Sequence, residues 1–287
     1  MDHKFEQQGL PKPVKAYKNM EFINSPDART IRILAEFFEP MHRFKKYNIY
    51  DTIVFFGSAR TLNPREAEQK LREVQERIDA SNQGSTDPAL QDELEHTKNQ
   101  VFLARYYNDA EELARRMTEW SKSLDSNYRF VVSSGGGPGM MEAANKGAME
   151  AGGMSIGLNI SLPMEQFSNP YITPELNFEF HYFFMRKFWF IYLAKALVIF
   201  PGGYGTLDEL FETLTLIQTE KIKKEMPVVI YGKEYWDQII NLDALVKYGA
   251  ISKADLDLVK FCDSVDEAFD YLKNELIRIY PDCELRE

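Results

Sequence analysis

Two glycine-rich segments hold the residues best suited to chemistry. Ser133-Ser134-Gly135-Gly136-Gly137-Pro138-Gly139 precedes a helix-forming stretch, and Pro201-Gly202-Gly203-Tyr204-Gly205-Thr206-Leu207-Asp208-Glu209 does the same further along. Glycine lets the backbone turn sharply and approach a ligand closely. At a helix start the free N–H groups point outward and the helix dipole favours an anion, so each segment predicts a phosphate cradle. A tight turn without a ligand accounts for either segment alone. Two such turns at strand ends of one sheet can converge on one crevice, which turns alone explain poorly. Neither segment runs into Gly-Lys-Ser/Thr, and neither has Gly-x-Gly-x-x-Gly spacing followed by an acid on the next strand, which argues against ATPase and NAD chemistry.

Two further segments fit the same crevice. Gly57-Ser58-Ala59-Arg60 follows an apolar run, and its small residues Gly57 and Ser58 suit a lining position, although an ordinary strand-end turn reads equally well. Arg186 and Lys187 sit among Phe184, Phe188 and Trp189. Burying such cations without partners is costly, so an anionic ligand or a carboxylate is expected beside them. Asp208 and Glu209 are the nearest candidates, and a purely structural salt bridge is the alternative. Glu142 and Asp208 each fall in a first helical turn, where an acid is favoured whether or not a ligand is bound. His3, His42, His96 and His181 are scattered, Cys262 and Cys283 cannot form a zinc site alone, and neither a metal nor a cofactor is expected.

These segments need strands and helices to position them. Residues 52–56 (TIVFF) read as the first buried strand. Further strands are expected at 130–133, 154–158, 178–182, 197–200, 228–231 and about 259–262, with helices at 139–151, 185–194, 206–218, 235–248 and 265–279. Apolar strands alternating with helices predict an α/β fold: a Rossmann-like, doubly wound, mostly parallel sheet covered on both faces. Residues 1–24 read as an arm with little regular structure. Ser25-Pro26-Asp27 predicts a helix start with a Ser N-cap, followed by an apolar stripe of Ile31, Leu34, Phe38 and Met41. Residues 64–124 predict a charged insertion of two helices broken at 81–88. Leu103, Tyr106, Tyr107, Ala110, Leu113 and Met117 form an apolar face on its second helix, and its first helix reads as peripheral or as an oligomer contact. The expected division is residues 1–50 as N-terminal arm and helix and 51–287 as the binding domain.

Composition narrows the function classes. The chain has 287 residues, 44% of them hydrophobic, and a formal net charge of −10. No basic stripe of the kind a duplex binder uses is present, so no nucleic acid partner is expected. No stretch of about eighteen apolar residues exists, so no membrane span is expected. The polar start MDHKFEQQGLPKPVK lacks the apolar centre of a signal peptide, which predicts a cytoplasmic setting.

The paired GGGPGMMEAANKGA and PGGYGTLDE motifs, with Arg186-Lys187 between them, closely resemble the LOG (Lonely Guy) family, once labelled possible lysine decarboxylases. The resemblance covers roughly residues 50–265, and the N-terminal arm and insertion suit its larger bacterial branch. It implies a Rossmann-like fold and a phosphoribohydrolase that releases free base and ribose 5-phosphate from AMP or a cytokinin riboside 5′-monophosphate. It also implies at least a homodimer with sites near the interface. The older decarboxylase label would need a cofactor-bound lysine in a Ser-x-His-Lys-like setting, which this sequence lacks. Carried over by motif, Arg186 and Glu209 match the catalytic pair and Arg186-Lys187 the substrate-contacting pair. Gly202, Gly203, Gly205 and Thr206 match the phosphate cradle, and Gly135, Gly136 and Gly137 the other glycine turn. Glu165 matches a substrate-reaching acid, and Glu142 and Thr215 are further contacts. One departure stands out: the usual His-x-Arg-Lys reads Phe183-Phe184-Met185-Arg186-Lys187, which leaves base preference open.

On this reading a nucleoside 5′-monophosphate is the partner. Glu209 stabilises an oxocarbenium-like sugar or orients water, as in glycoside hydrolysis. Arg186 keeps Glu209 ionised, and the cradles fix the phosphate. The alternative from another class is a non-catalytic nucleotide-binding sensor or carrier on the same sheet. A single-strand nucleic-acid binder is disfavoured by the acidic balance.

Overall fold

The computed structural model describes residues 12–80, 87–124, 130–162 and 167–281. Its elements run α1 (Met20–Asn24), α2 (Arg29–Lys46), β1 (Thr52–Phe56), α3 (Pro64–Ala80), α4 (Pro88–Ser123), β2 (Val131–Ser134), α5 (Met140–Glu150), β3 (Ser155–Ile160), β4 (Asn177–Phe180), α6 (Phe183–Leu193), β5 (Ala194–Ile199), α7 (Tyr204–Gln218), β6 (Val228–Tyr231), α8 (Lys233–Ile239), α9 (Leu242–Lys247), β7 (Lys260–Cys262) and α10 (Val265–Ile279). The strands form one seven-stranded sheet in the order β4-β3-β2-β1-β5-β6-β7. Every neighbouring pair is parallel, so the sheet is wholly rather than mostly parallel.

Strand side chains alternate between faces, and both faces are covered. Ile53, Phe55, Val132, Ala196, Val198, Val229 and Tyr231 point to one core, closed by α4, α5 and α10. Val54, Phe56, Val131, Leu197, Ile199, Val228 and Ile230 point to the other, closed by α2, α6, α7 and Trp236 of α8. The sheet order places a switch point at β1: β2 to β4 extend to one side of it and β5 to β7 to the other. Loops leaving the carboxyl ends of strands diverge at such a point and leave a crevice.

Several expectations are corrected. Of the arm expected to have little regular structure, residues 12–24 include α1 and a short 3-10 turn at Ala16–Lys18, and residues 1–11 lie outside the described residues. Arg32 ties α1 to α2 by donating to the carbonyls of Ile23 and Ser25. Ser25 precedes a 3-10 turn, but its hydroxyl donates back to the Phe22 carbonyl instead of capping that turn. On α2 the expected stripe is mostly on the wrong side. Ile31, Leu34 and Phe38 are exposed, Phe38 by 58%, while Ile33, Phe37, Met41 and Phe44 pack into the core. The single helix expected at 235–248 is two, because Ile240 is extended and the Asn241 side chain accepts from the Ala244 N–H to start α9. The helix expected at 185–194 begins at Phe183, and Ala194 already belongs to β5. The insertion forms as expected: α3 buries only Ala67 and Val74, and α4 buries Tyr106, Tyr107, Ala110, Leu113 and Met117. Of the break at 81–88, residues 81–86 lie outside the described residues, as does Cys283. No helix among the described residues is long and apolar enough to cross a membrane.

Candidate functional site

Three loops meet at the switch point. The Ser58 N–H donates to the Pro201 carbonyl at 3.0 Å, and the Ser58 carbonyl accepts from the Met140 N–H at 3.1 Å. A single residue in the loop after β1 therefore joins the loop after β5 to the helix after β2. Gly139 makes that closeness possible: its φ is +71°, and a Cβ there would run into the Ser58 carbonyl oxygen.

The turn after β2 is held from below by a buried polar network. Asn169 Nδ2 donates to the carbonyls of Gly136 (3.1 Å) and Gly137 (3.0 Å) and to Asn145 Oδ1 (2.9 Å). Ser134 Oγ donates to Asn145 Oδ1 and accepts from the Gly136 N–H, while Asn145 Nδ2 donates to the Ile156 carbonyl. These bonds satisfy the turn's inward polar groups, as burial requires.

Above this floor lies a cavity of about 830 Å³. Gly57, Ser58, Gly135, Arg186, Gly202, Gly203, Gly205, Thr206 and Glu209 border it, so these expected site residues come together. Others do not. Gly136 and Gly137 support the turn but do not border the cavity. Glu142 is turned to the α4–α5 contact, where the Tyr107 hydroxyl donates to it at 2.8 Å. Lys187, Asp208 and Thr215 lie on a shallow neighbouring face with Phe211 and Glu212. The Thr215 hydroxyl donates to the Phe211 carbonyl within its own helix. Glu165 lies outside the described residues.

The start of α7 is open toward the cavity. A Cβ at Gly203 or Gly205 would meet nothing within 4 Å, and Thr206 is buried behind them. Arg186 arrives on α6, whose start is set by α2. The Glu36 carboxylate accepts from the N–H groups of His181 and Tyr182, and its carbonyl accepts from Trp189 Nε1. Met185, Trp189, Phe190 and Ile191 of α6 enter the core, whereas Phe183, Phe184, Phe188 and Tyr192 are exposed.

Among the described residues, three polar side-chain atoms on the cavity's residues are buried with no hydrogen-bond partner: Arg186 Nε, Glu209 Oε2 and Gln100 Oε1. Burial lowers the Arg186 pKa, against the opposing charges of Glu209, Asp208 and Glu179. Burial likewise pushes the Glu209 carboxyl up to about 7, although Lys187 and Arg186 pull it down. Lys187 Nζ is shared among Glu212 (2.6 Å), Asp208 (2.8 Å) and Glu209 (3.5 Å). No ion pair of Arg186 occurs among the described residues.

The sequence reading missed His96, Gln100, Leu103, Asn159, Tyr235 and Ile239 as site residues, all of which border the cavity. The Tyr235 hydroxyl donates to the Gly202 carbonyl at 3.0 Å and so braces the second glycine turn. For His96, Gln100 and Leu103 a signal exists, since steps of four and three put them on one helical face. Asn159 and Tyr235 carry no comparable signal. No group of three or more potential metal ligands occurs among the described residues.

Residues 141–272 match the family model described as possible lysine decarboxylase. Among solved structures, the chain is similar to the molybdenum cofactor binding protein from the phototrophic bacterium Rippkaea orientalis, with 17% identity and a TM-score of 0.40, over 59% of this chain and 88% of that one. It is also similar to the molybdenum cofactor carrier protein from Chlamydomonas reinhardtii, with 19% identity and a TM-score of 0.42, over 79% of this chain and 98% of that one. No curated protein matches the chain. Of the two solved structures, the first is described as a binding protein and the second as a carrier protein. The expected N-glycosidase activity on a nucleoside 5′-monophosphate partner finds no support in these comparisons. Arg186 was to hold Glu209 fully ionised, yet burial outweighs both neighbouring cations and leaves the carboxyl titrating near neutrality.

Proposed function

We propose, from the match of residues 141–272 to the family model described as possible lysine decarboxylase, that the chain binds a phosphorylated small molecule in the switch-point cavity and releases it unchanged, as a carrier or sensor. The observation that carries this reading is an open glycine cradle at the start of α7 beside two buried, unpartnered side-chain atoms, Arg186 Nε and Glu209 Oε2. Buried polar atoms without partners are rare in folded proteins, and a ligand that completes them accounts for both.

In this reading the N–H groups at Gly203 and Gly205 and the Thr206 hydroxyl take the phosphate, helped by the α7 dipole. Arg186 supplies the balancing positive charge and a directed N–H. Gly57, Ser58 and Gly135 form the floor on which the rest of the ligand lies. Glu209, protonated at its free oxygen, donates to the ligand, and it accepts when ionised. The binding unit is residues 51–287, with residues 1–50 as an N-terminal arm and helix that shapes α6.

The test is calorimetric titration with inorganic phosphate and then with the molybdenum cofactor, the cargo of the similar solved structures. Bound ligand is afterwards recovered by denaturation and its mass compared with the input. Saturable binding with unchanged mass supports a carrier. Recovery of a cleaved ligand rules the carrier reading out.

A further inference from the structure

The insertion helix α4 has a use that its charged composition conceals. It is a 36-residue helix started by the Asp87 side chain, which accepts from the Ala89 N–H. From Ala104 to Trp120 its inner face belongs to the core. One turn earlier, His96, Gln100 and Leu103 border the cavity instead. They lie at helical steps of four and three, so one continuous face forms the wall. Gln100 Oε1 is buried on that wall and accepts no hydrogen bond. Leu103 and Met141 add apolar surface to the same cavity.

We propose that Gln100 determines specificity by accepting a hydrogen bond from an N–H on the ligand's heterocyclic head, whose rings lie against the apolar side chains of Leu103 and Met141. This rests on the phosphate-cradle reading above and narrows its ligand class to phosphate esters of a nitrogen heterocycle that bears a donor. A bare phosphate or a phosphorylated sugar fills the cradle but leaves Gln100 Oε1 buried and unmatched. A head that presents an acceptor there sets oxygen against oxygen. A site built around a hydrogen bond rejects ligands that lack it more strongly than an apolar pocket rejects a changed shape.

The probes are inorganic phosphate, ribose 5-phosphate, 6-hydroxymethylpterin phosphate with its 2-amino donor, and the matching lumazine phosphate with an oxo group in that place. Each is titrated calorimetrically into wild-type protein, Gln100→Leu and Gln100→Glu. The wild type is expected to prefer the pterin over the lumazine ester. Gln100→Leu is expected to weaken pterin ester binding by roughly tenfold to a hundredfold, to erase the preference and to leave inorganic phosphate binding unchanged. Gln100→Glu, which keeps an acceptor, retains the preference. Equal losses for phosphate and pterin ester in Gln100→Leu, or no loss at all, overturn the proposal while the cradle stands. Failure of wild-type protein to bind inorganic phosphate overturns the cradle reading itself.

Discussion

Lys187, which does not border the cavity, reaches Glu209 at 3.5 Å through Oε1, while Oε2 of the same carboxyl is buried with no partner. The two oxygens thus have different tasks. One is steadied by a cation already neutralised by Asp208 and Glu212, and the other is left for whatever enters the cavity.

That arrangement has a pH signature. The folded carboxyl titrates at about 7, against an ordinary value of 4.5. Between these values the folded protein holds a proton that the unfolded chain has lost, so stability falls as pH rises from 4.5 to 7 and the full penalty applies above 7. A shift of this size corresponds to about 3 kcal/mol. Urea unfolding of Glu209→Gln is expected to show a variant more stable than wild type at pH 8, with the gap closing toward pH 4.5. A gap that does not vary with pH contradicts the assignment.

The glycines of the two turns are expected to separate by role. Gly203→Ala adds a methyl into open space at a φ any residue adopts, so stability is expected to change by less than about 0.5 kcal/mol. The same methyl crowds the cradle, so phosphate binding is expected to weaken. Gly139→Ala meets the Ser58 carbonyl at a positive φ and is expected to destabilise the fold by several kcal/mol, on the order of other strained positions. Thermal melting alongside phosphate titration distinguishes the two.

Asn169 is the anchor of the first turn. Asn169→Ala leaves two carbonyls and Asn145 Oδ1 without that donor, so a loss of about 2–4 kcal/mol in chemical denaturation is expected. Asn169→Asp places an acceptor against three acceptors and is expected to be worse than alanine. If the aspartate variant is the more stable of the two, Asn169 does not donate to all three oxygens.

Glu36 acts on the cavity from a distance by holding the start of α6. Glu36→Ala removes two acceptors from the His181 and Tyr182 N–H groups and is expected to lower stability by about 1–2 kcal/mol. It is also expected to weaken phosphate binding through a displaced Arg186. Glu36→Gln, which keeps one acceptor oxygen, is expected to recover most of both. Binding unaffected by the alanine change would show that α6 is held by its core residues alone.

Much of the fold is legible in the sequence because the strands are apolar runs buried on both faces. TIVFF is β1 to the residue, and 228–231 is β6 likewise. The glycine turns are legible because their spacing encodes backbone conformation directly. Periodicity says less on α2, which carries two apolar stripes, and only packing decides that Phe37 and Phe44 go inward while Phe38 does not. The break at Ile240 has a local signal in Asn241, a favoured N-cap residue, but the apolar spacing runs on across it and masks the stop. Gln100 and His96 are hidden for another reason. A charged helix reads as solvent-facing until the sheet brings its early turns over a ligand-sized space. The hydrolytic expectation arises from a motif match, and a motif specifies the shape of a cradle without specifying what happens inside it.

The unbroken course of α4 has one more consequence. A single helix is packed into the core along its later turns and borders the cavity along its earlier ones, so the two parts meet different physical demands. Substitutions at His96 and Gln100 can therefore reshape the cavity wall while the anchorage from Ala104 onward stays intact.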